Sequence, residues 1–235
     1  MGSIGSNLQE VKRRILGACT QAGRDANTVT LLAVSKTFGA DSVRQALAAG
    51  QHAFGENYVQ EALAKIDELA PLRPQLEWHL IGPLQSNKTR PVAEAFDWVH
   101  SVDRLKIAQR LAEQRPVTLP PLQLCLQVNV AGEASKAGVA PEELPALARA
   151  VAALPASRVQ LRGLMSIPEP AADAAAQRRP HRLLHELLRA LQAQGLALDT
   201  LSMGMSEDLE AAVAEGSTLV RVGRAVFGER TAAGA

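Results

Sequence analysis

A chain of 235 residues that is 47% hydrophobic can bury a substantial core, which excludes a disordered or fibrous polypeptide. Lys and Arg number 25 against 24 Asp and Glu, a net charge of +1 with no block of one sign, which argues against a nucleic-acid footprint. Cys19 and Cys125 are too few for a disulfide framework or a zinc site, and charged residues from Glu10 to Arg14 interrupt any leader-like apolar run, so a soluble, cytoplasmic protein is expected.

In chain order, residues 3–23 read as an amphipathic helix, with Leu8, Val11, Ile15 and Cys19 on one face and Gly23 as its C-cap. Val29 to Lys36 is a nearly unbroken aliphatic run, the pattern of a strand buried on both faces. A helix from Ala40 or Asp41 to Gly50 follows, then a short strand His52–Gly55 and a helix ending near Leu69. Glu77–Gly82 reads as a third strand, with a loop Pro83–Asn87 and a helix to about Phe96. Trp98–Val102 is a fourth, followed by a helix from Asp103 to about Arg115 and a proline-rich linker, Pro116–Pro121. The alternation then resumes: strand Leu122–Val130, helix Pro141–Leu154, strand Val159–Ile167, helix Pro180–Gln194, strand Thr200–Met203, a helix that follows Ser206 and runs through Leu209 to Gly216, and strand Thr218–Val222.

Eight strand–helix repeats point to an α/β fold, a single (β/α)8 TIM barrel occupying residues 1–235 with its core at about 8–230. An open doubly wound sheet shares the alternation, but no glycine fingerprint follows the first strand. The extra N-terminal helix is expected to fill the wall where an eighth crossover helix is missing.

Ligand groups in such a barrel gather at the C-terminal ends of the strands. Those ends carry Lys36, Asn57, His79, Ser101, Asn129, Met165-Ser166, Ser202 to Ser206, and Arg221 to Arg224. A lysine in a partly dry site can lose its proton and attack carbonyls, although a solvated lysine after a strand has the same signature. Ser206, with Glu207 and Asp208 after it, reads as the N-cap of a helix, and free N–H groups there suit a phosphate. Gly223 lets backbone approach a ligand between Arg221 and Arg224; an ordinary cap with surface arginines is the plainer reading. His181 and His185 stand four apart on a helix without a third metal ligand and are expected on a solvated face. The loop Gly132–Gly138 lacks a P-loop ending, and Met203 and Met205 read as packing.

Five motifs then act together: Leu32-Ala33-Val34-Ser35-Lys36-Thr37, Phe54 through Glu61, Trp78 through Lys88, Leu201 through Ser206, and Val220 through Gly223. In this order and spacing they closely resemble the pyridoxal phosphate homeostasis protein family, itself similar to the barrel domain of alanine racemases. The resemblance runs from about residue 8 to 230. It implies a fold-type-III-like barrel without a second domain, holding pyridoxal 5′-phosphate (PLP) as a Schiff base on Lys36. It also implies that Arg221 faces the pyridine nitrogen, that Ser206, Gly223 and Arg224 hold the phosphate, and that Asn57, His79 and Met165 line the pocket. Two positions depart from the family pattern: Phe38-Gly39 stands where a proline is expected soon after Lys36-Thr37, and Arg224 where many relatives carry a small hydroxyl residue.

The expected function is PLP homeostasis, buffering and delivering the cofactor without turnover. The expected partners are PLP and transient PLP-dependent apo-enzyme recipients, with no nucleic acid, no membrane and no metal, and the chain is expected to be a monomer. An amino-acid racemase is the rival reading, and a Schiff-base aldolase using Lys36 directly is a third. Alanine racemases take a second acid–base tyrosine from an additional domain across a dimer. Here the sole tyrosine, Tyr58, begins a barrel helix, so no second proton donor is expected.

Overall fold

The computed structural model describes residues 2–131, 137–171 and 173–229. Eight strands, β1 (Thr30–Val34), β2 (Ala53–Glu56), β3 (Glu77–Leu80), β4 (Trp98–Val102), β5 (Leu122–Gln127), β6 (Val159–Met165), β7 (Thr200–Ser202) and β8 (Leu219–Val222), pair in parallel in sequence order. β8 returns to β1, so the sheet closes into the expected barrel. Around it run α1 (Ile4–Gln21), α2 (Ala40–Ala48), α3 (Val59–Glu68), α4 (Thr89–Ala95), α5 (Leu105–Gln114), α6 (Leu144–Ala152), α7 (Ala174–Ala193), α8 (Leu209–Ala214) and α9 (Arg224–Phe227).

Strand alternation separates two apolar environments. Leu31, Ala33, Phe54, Leu80 and Val220 pack outward in the large core between sheet and helices. Leu32, Val34, Ala53, Ile81 and Leu219 form a separate small cluster, which the same alternation assigns to the barrel lumen. That parity also gives the lumen His79, between Trp78 and Leu80, and Arg221, between Val220 and Val222. A barrel lumen is usually filled by branched aliphatics, so buried imidazole and guanidinium groups there need partners.

Ser3 starts α1 by accepting the Ser6 N–H at 3.2 Å, and Leu8, Val11, Ile15, Ala18 and Cys19 form its buried stripe. Gly23, at φ +64°, ends it as expected. The helix packs against α2, α8 and α9 and so fills the gap in the helical wall.

Several boundaries differ from the sequence reading. β1 stops at Val34, two residues short of Lys36, because the chain turns there and the Phe38 N–H bonds the Ser35 carbonyl at 3.1 Å. β2 includes Glu56, whose carboxylate is buried between β1 and α3. α7 begins at Ala174, since Asp173 accepts the Ala176 N–H at 2.8 Å and caps a run of alanines that carries the helix through Pro180. The four residues of α9 are too few to show a period. Of the loop Gly132–Gly138, residues 132–136 lie outside those described.

Candidate functional site

The Lys36 side chain is partly buried at the mouth of the barrel. It sits in a turn whose next residue, Thr37, has φ +68°. A β-branched residue in the left-handed region costs on the order of 1–3 kcal/mol and persists only where its surroundings impose it. Here the Thr37 N–H donates to Glu61 Oε1 at 2.6 Å. Beneath the turn, Glu56 Oε1 accepts from Ser35 Oγ and from Lys65 Nζ, each at 2.6 Å. Lys65 Nζ also donates to the Ser35 carbonyl at 2.8 Å and lies 3.3 Å from Glu61 Oε1. Burial pushes the Glu56 carboxyl above its usual range, against the pull of Lys65 and Ser35. This buried ionic cluster grips both sides of Lys36 through backbone atoms. The substitution at Phe38-Gly39 is accommodated as well: the Phe38 ring stacks on Phe227 of α9 at 5.1 Å, and Gly39 is the N-cap of α2.

Arg221 lies across the lumen strands, 4% exposed. Nη1 donates to the Ser202 carbonyl at 2.6 Å and to Ser202 Oγ at 2.8 Å, and Nη2 donates to the Ser166 carbonyl at 2.8 Å. A guanidinium has five N–H groups, so two remain beyond those bonded among the described residues. Burial pushes its pKa down to about 10, with Asp208 opposing, and it stays charged at neutral pH. Two buried side-chain atoms near strand ends, Asn57 Oδ1 and Ser166 Oγ, have no hydrogen-bond partner among the described residues. Ser166 adjoins Met165, which is fully buried at the end of β6 and registers with Ser202 on β7.

The segment after β7 is held from three directions. Asp208 Oδ1 accepts the Met205 N–H at 2.6 Å, Asp208 Oδ2 accepts from His181 Nε2 at 2.8 Å, and Arg14 of α1 donates to the Ser206 carbonyl at 2.9 Å. Burial raises the Asp208 carboxyl, but the bonds from His181 and Met205 outweigh it and leave the pKa below the usual range. Gly204 has φ +96°, and a Cβ there would lie 2.5 Å from Ala212 Cβ. Gly223 precedes α9, and a Cβ on it would lie 3.2 Å from the Val34 carbonyl oxygen of β1.

Lys36, Asn57, Met165, Arg221 and Gly223 thus stand at or inside the C-terminal mouth. Two expectations need correction. Ser206 is not a helix N-cap: α8 starts at Leu209 after Asp208, which the His181 and Met205 bonds recruit to that position. His181 and His185 do not face solvent; His181 is fully buried on Asp208, and His185 Nδ1 lies 2.9 Å from the Glu215 carbonyl. His79 lies in the lumen with both ring nitrogens engaged, so it reaches Arg221 only through His100 and Ser202. Arg224 is exposed at the start of α9. Sequence reasoning missed Glu56, Glu61, Lys65 and His100, since nothing local to them marks their long-range partners. Among the described residues no group of three or more His, Cys, Asp or Glu side chains could hold a metal ion, and no helix is long and apolar enough to cross a membrane.

Residues 6–231 match the protein family "Alanine racemase, N-terminal domain". Over 230 residues the chain is 64% identical to the Pyridoxal phosphate homeostasis protein of Pseudomonas aeruginosa, covering 98% of this chain and 97% of that one. The chain belongs to the pyridoxal phosphate homeostasis protein family. PipY of Synechococcus elongatus, solved with PLP bound, superposes with a TM-score of 0.83 at 41% identity, covering 96% of this chain and all of that one. The alanine racemase of Corynebacterium glutamicum shares the barrel alone, with a TM-score of 0.67 at 19% identity, covering 99% of this chain and 62% of that one. The members of the homeostasis family and the racemases therefore share one barrel fold, and the fold by itself assigns no activity.

Proposed function

We propose that this chain, acting as one barrel domain, binds PLP as a Schiff base on Lys36 and serves to buffer and deliver the cofactor without turning over a substrate. The donor set fits such a ligand. Lys36 supplies an amine for the aldehyde, and the condensation releases one water. Asn57 Oδ1 and Ser166 Oγ are buried polar atoms in want of a partner. Gly223 keeps backbone accessible to a phosphate beside β1, and after β7 the Met205 N–H is taken by Asp208, so Ser206 is the residue of that segment that would serve the anion.

The observation that carries the reading is Arg221 taken together with the want of a second acid–base tyrosine, since racemases with an arginine at the ring nitrogen still work. PLP supplies an electron sink when its ring nitrogen is protonated, which a carboxylate partner favours. A guanidinium only donates, and this one is fixed by three hydrogen bonds and charged at neutral pH, so a ring nitrogen meeting it stays unprotonated and the sink weak. Racemases built on the same barrel add a second acid–base tyrosine; the sole tyrosine here, Tyr58, is 55% exposed just before α3. The partners in this reading are PLP and transient apo-enzyme recipients in the cytoplasm, with the protein acting as a monomer.

Incubating the PLP-loaded protein with L-alanine and other amino acids in deuterated water tests the reading. Neither α-deuterium incorporation nor change of chirality is expected over many enzyme equivalents. Turnover at typical enzyme rates, about 1–10³ per second, that disappears in Lys36→Ala overturns it in favour of the racemase.

A further inference from the structure

The barrel lumen carries polar groups that the cofactor reading leaves unused, and they form one continuous chain. From Arg221 Nη1 it runs to Ser202 Oγ at 2.8 Å, and from Ser202 Oγ to His100 Nδ1 at 2.8 Å. His100 Nε2 lies 2.9 Å from His79 Nδ1, and His79 Nε2 lies 2.7 Å from Glu77 Oε1. The first four residues are buried, whereas the Glu77 side chain is half exposed at the first residue of β3. The chain therefore joins a carboxylate at the foot of the barrel to the guanidinium nearer its mouth.

Both ends impose the same direction on it. Arg221 only donates, so Ser202 Oγ accepts there, and its own proton is left for His100 Nδ1. At the other end the hydrogen bond from His79 holds the Glu77 carboxyl below its usual range, against burial, and an ionised carboxylate only accepts. His79 Nε2 therefore carries a proton, and His79 Nδ1 accepts from His100 Nε2–H. Reversing the chain would set a His79 lone pair against the carboxylate and strand the Ser202 proton in a buried site.

The surroundings favour a neutral His100 ring. Burial, His79 and Arg221 together hold His100 well below the usual imidazole range. The Trp98 ring stacks on His79 with centroids 5.4 Å apart. Arg162 lies over Trp98, 5.1 Å from the ring centroid, but is paired with Asp199. The Cys125 thiol, pushed up by burial to about 12, stays neutral.

We propose that Glu77, His79, His100 and Ser202 are positioning residues, a one-way hydrogen-bond chain that locks the Arg221 guanidinium at the cofactor ring and makes the ring's electronic state depend on a carboxylate at the opposite end of the barrel. The inference rests on the reading that Arg221 meets the ring nitrogen of PLP.

The test uses histidine labelled with ¹⁵N in the full-length protein, wild type, Glu77→Ala and Glu77→Gln, without and with PLP. Unloaded wild type should show only the Nε2–H tautomer for His79 and His100 at neutral pH. Glu77→Ala should admit the reverse tautomer, and Glu77→Gln, whose amide oxygen still accepts, should restore the single one. After loading, Glu77→Ala should shift the visible absorbance band of the bound cofactor and its pH profile, and Glu77→Gln should return both toward wild type. An Nδ1–H tautomer at either histidine in the wild type overturns the direction of the chain. Tautomers that change in Glu77→Ala with an unmoved band and pH profile overturn the coupling. Wild-type protein that takes up no PLP sinks the cofactor reading and the coupling with it, while the unloaded spectra still judge the chain.

Discussion

The two halves of the barrel mouth are built by opposite means. On the β1–β2 side, charged side chains do the holding: Glu56, Glu61 and Lys65 converge on a turn whose Thr37 is forced to φ +68°. On the β7–β8 side Asp208 and Arg14 also anchor the chain, but glycines make the shape: Gly204 and Gly223 lie where a Cβ would press on Ala212 or on Val34. Aiming one amine requires a rigid support beneath it, and a buried ionic cluster supplies that through fixed geometry. Receiving an anion on backbone N–H groups requires close approach, which side chains obstruct. The Lys36 side should therefore fail through stability when its charges are unbalanced, and the glycine side through affinity when its space is filled.

The largest effect is expected at Lys65. Lys65→Met leaves the buried Glu56 carboxylate without its cation, a loss of about 3–5 kcal/mol by urea unfolding. Adding Glu56→Gln to that variant should recover much of it; no recovery would mean that packing, rather than charge, supports the turn. Next comes the phosphate, whose charge-assisted hydrogen bonds are worth about 1.5–3 kcal/mol each. Pyridoxal should accordingly bind at least about tenfold more weakly than PLP in a fluorescence titration, and equal affinities would remove the anion from the β7–β8 side.

Gly204→Ala forces a Cβ into Ala212 at φ +96°, and a cost of about 1–3 kcal/mol is expected in thermal melts, with a larger fractional loss of PLP affinity than Lys65→Met causes. The smallest effect concerns Asp208. Its folded pKa lies below the unfolded value of ~3.9, so its contribution is present above that value and is lost as pH falls through the lower, folded one. Melting temperatures measured from about pH 5 downward should show an acid loss that Asp208→Asn lacks. A variant as acid-sensitive as wild type would place that loss at other carboxylates.

Much of this was legible in the sequence because the strands are buried on both faces and read as aliphatic runs bounded by turn residues. Lys36 and Arg221 were legible as charges attached to such runs. Glu56 was not, because it reads locally as the residue that breaks a strand, and only the neighbouring α3 reveals Lys65 as its partner. His100 was hidden for the same reason: its partners come from β3, the neighbouring strand, and from β7 across the lumen. At Ser206 the local signal misled, since a serine followed by two acidic residues has the pattern of an N-cap. The long-range bond from His181 decided for Asp208.

The central claim, that Lys36 is the covalent anchor, is tested most directly by fixing the bound cofactor. The protein is loaded with PLP, reduced with borohydride, digested and mapped by mass spectrometry. The account predicts one reduced adduct per chain, on the peptide containing Lys36, and loss of that adduct in Lys36→Ala. A loaded wild-type protein whose adduct maps to another lysine, or that yields none after reduction, would contradict it.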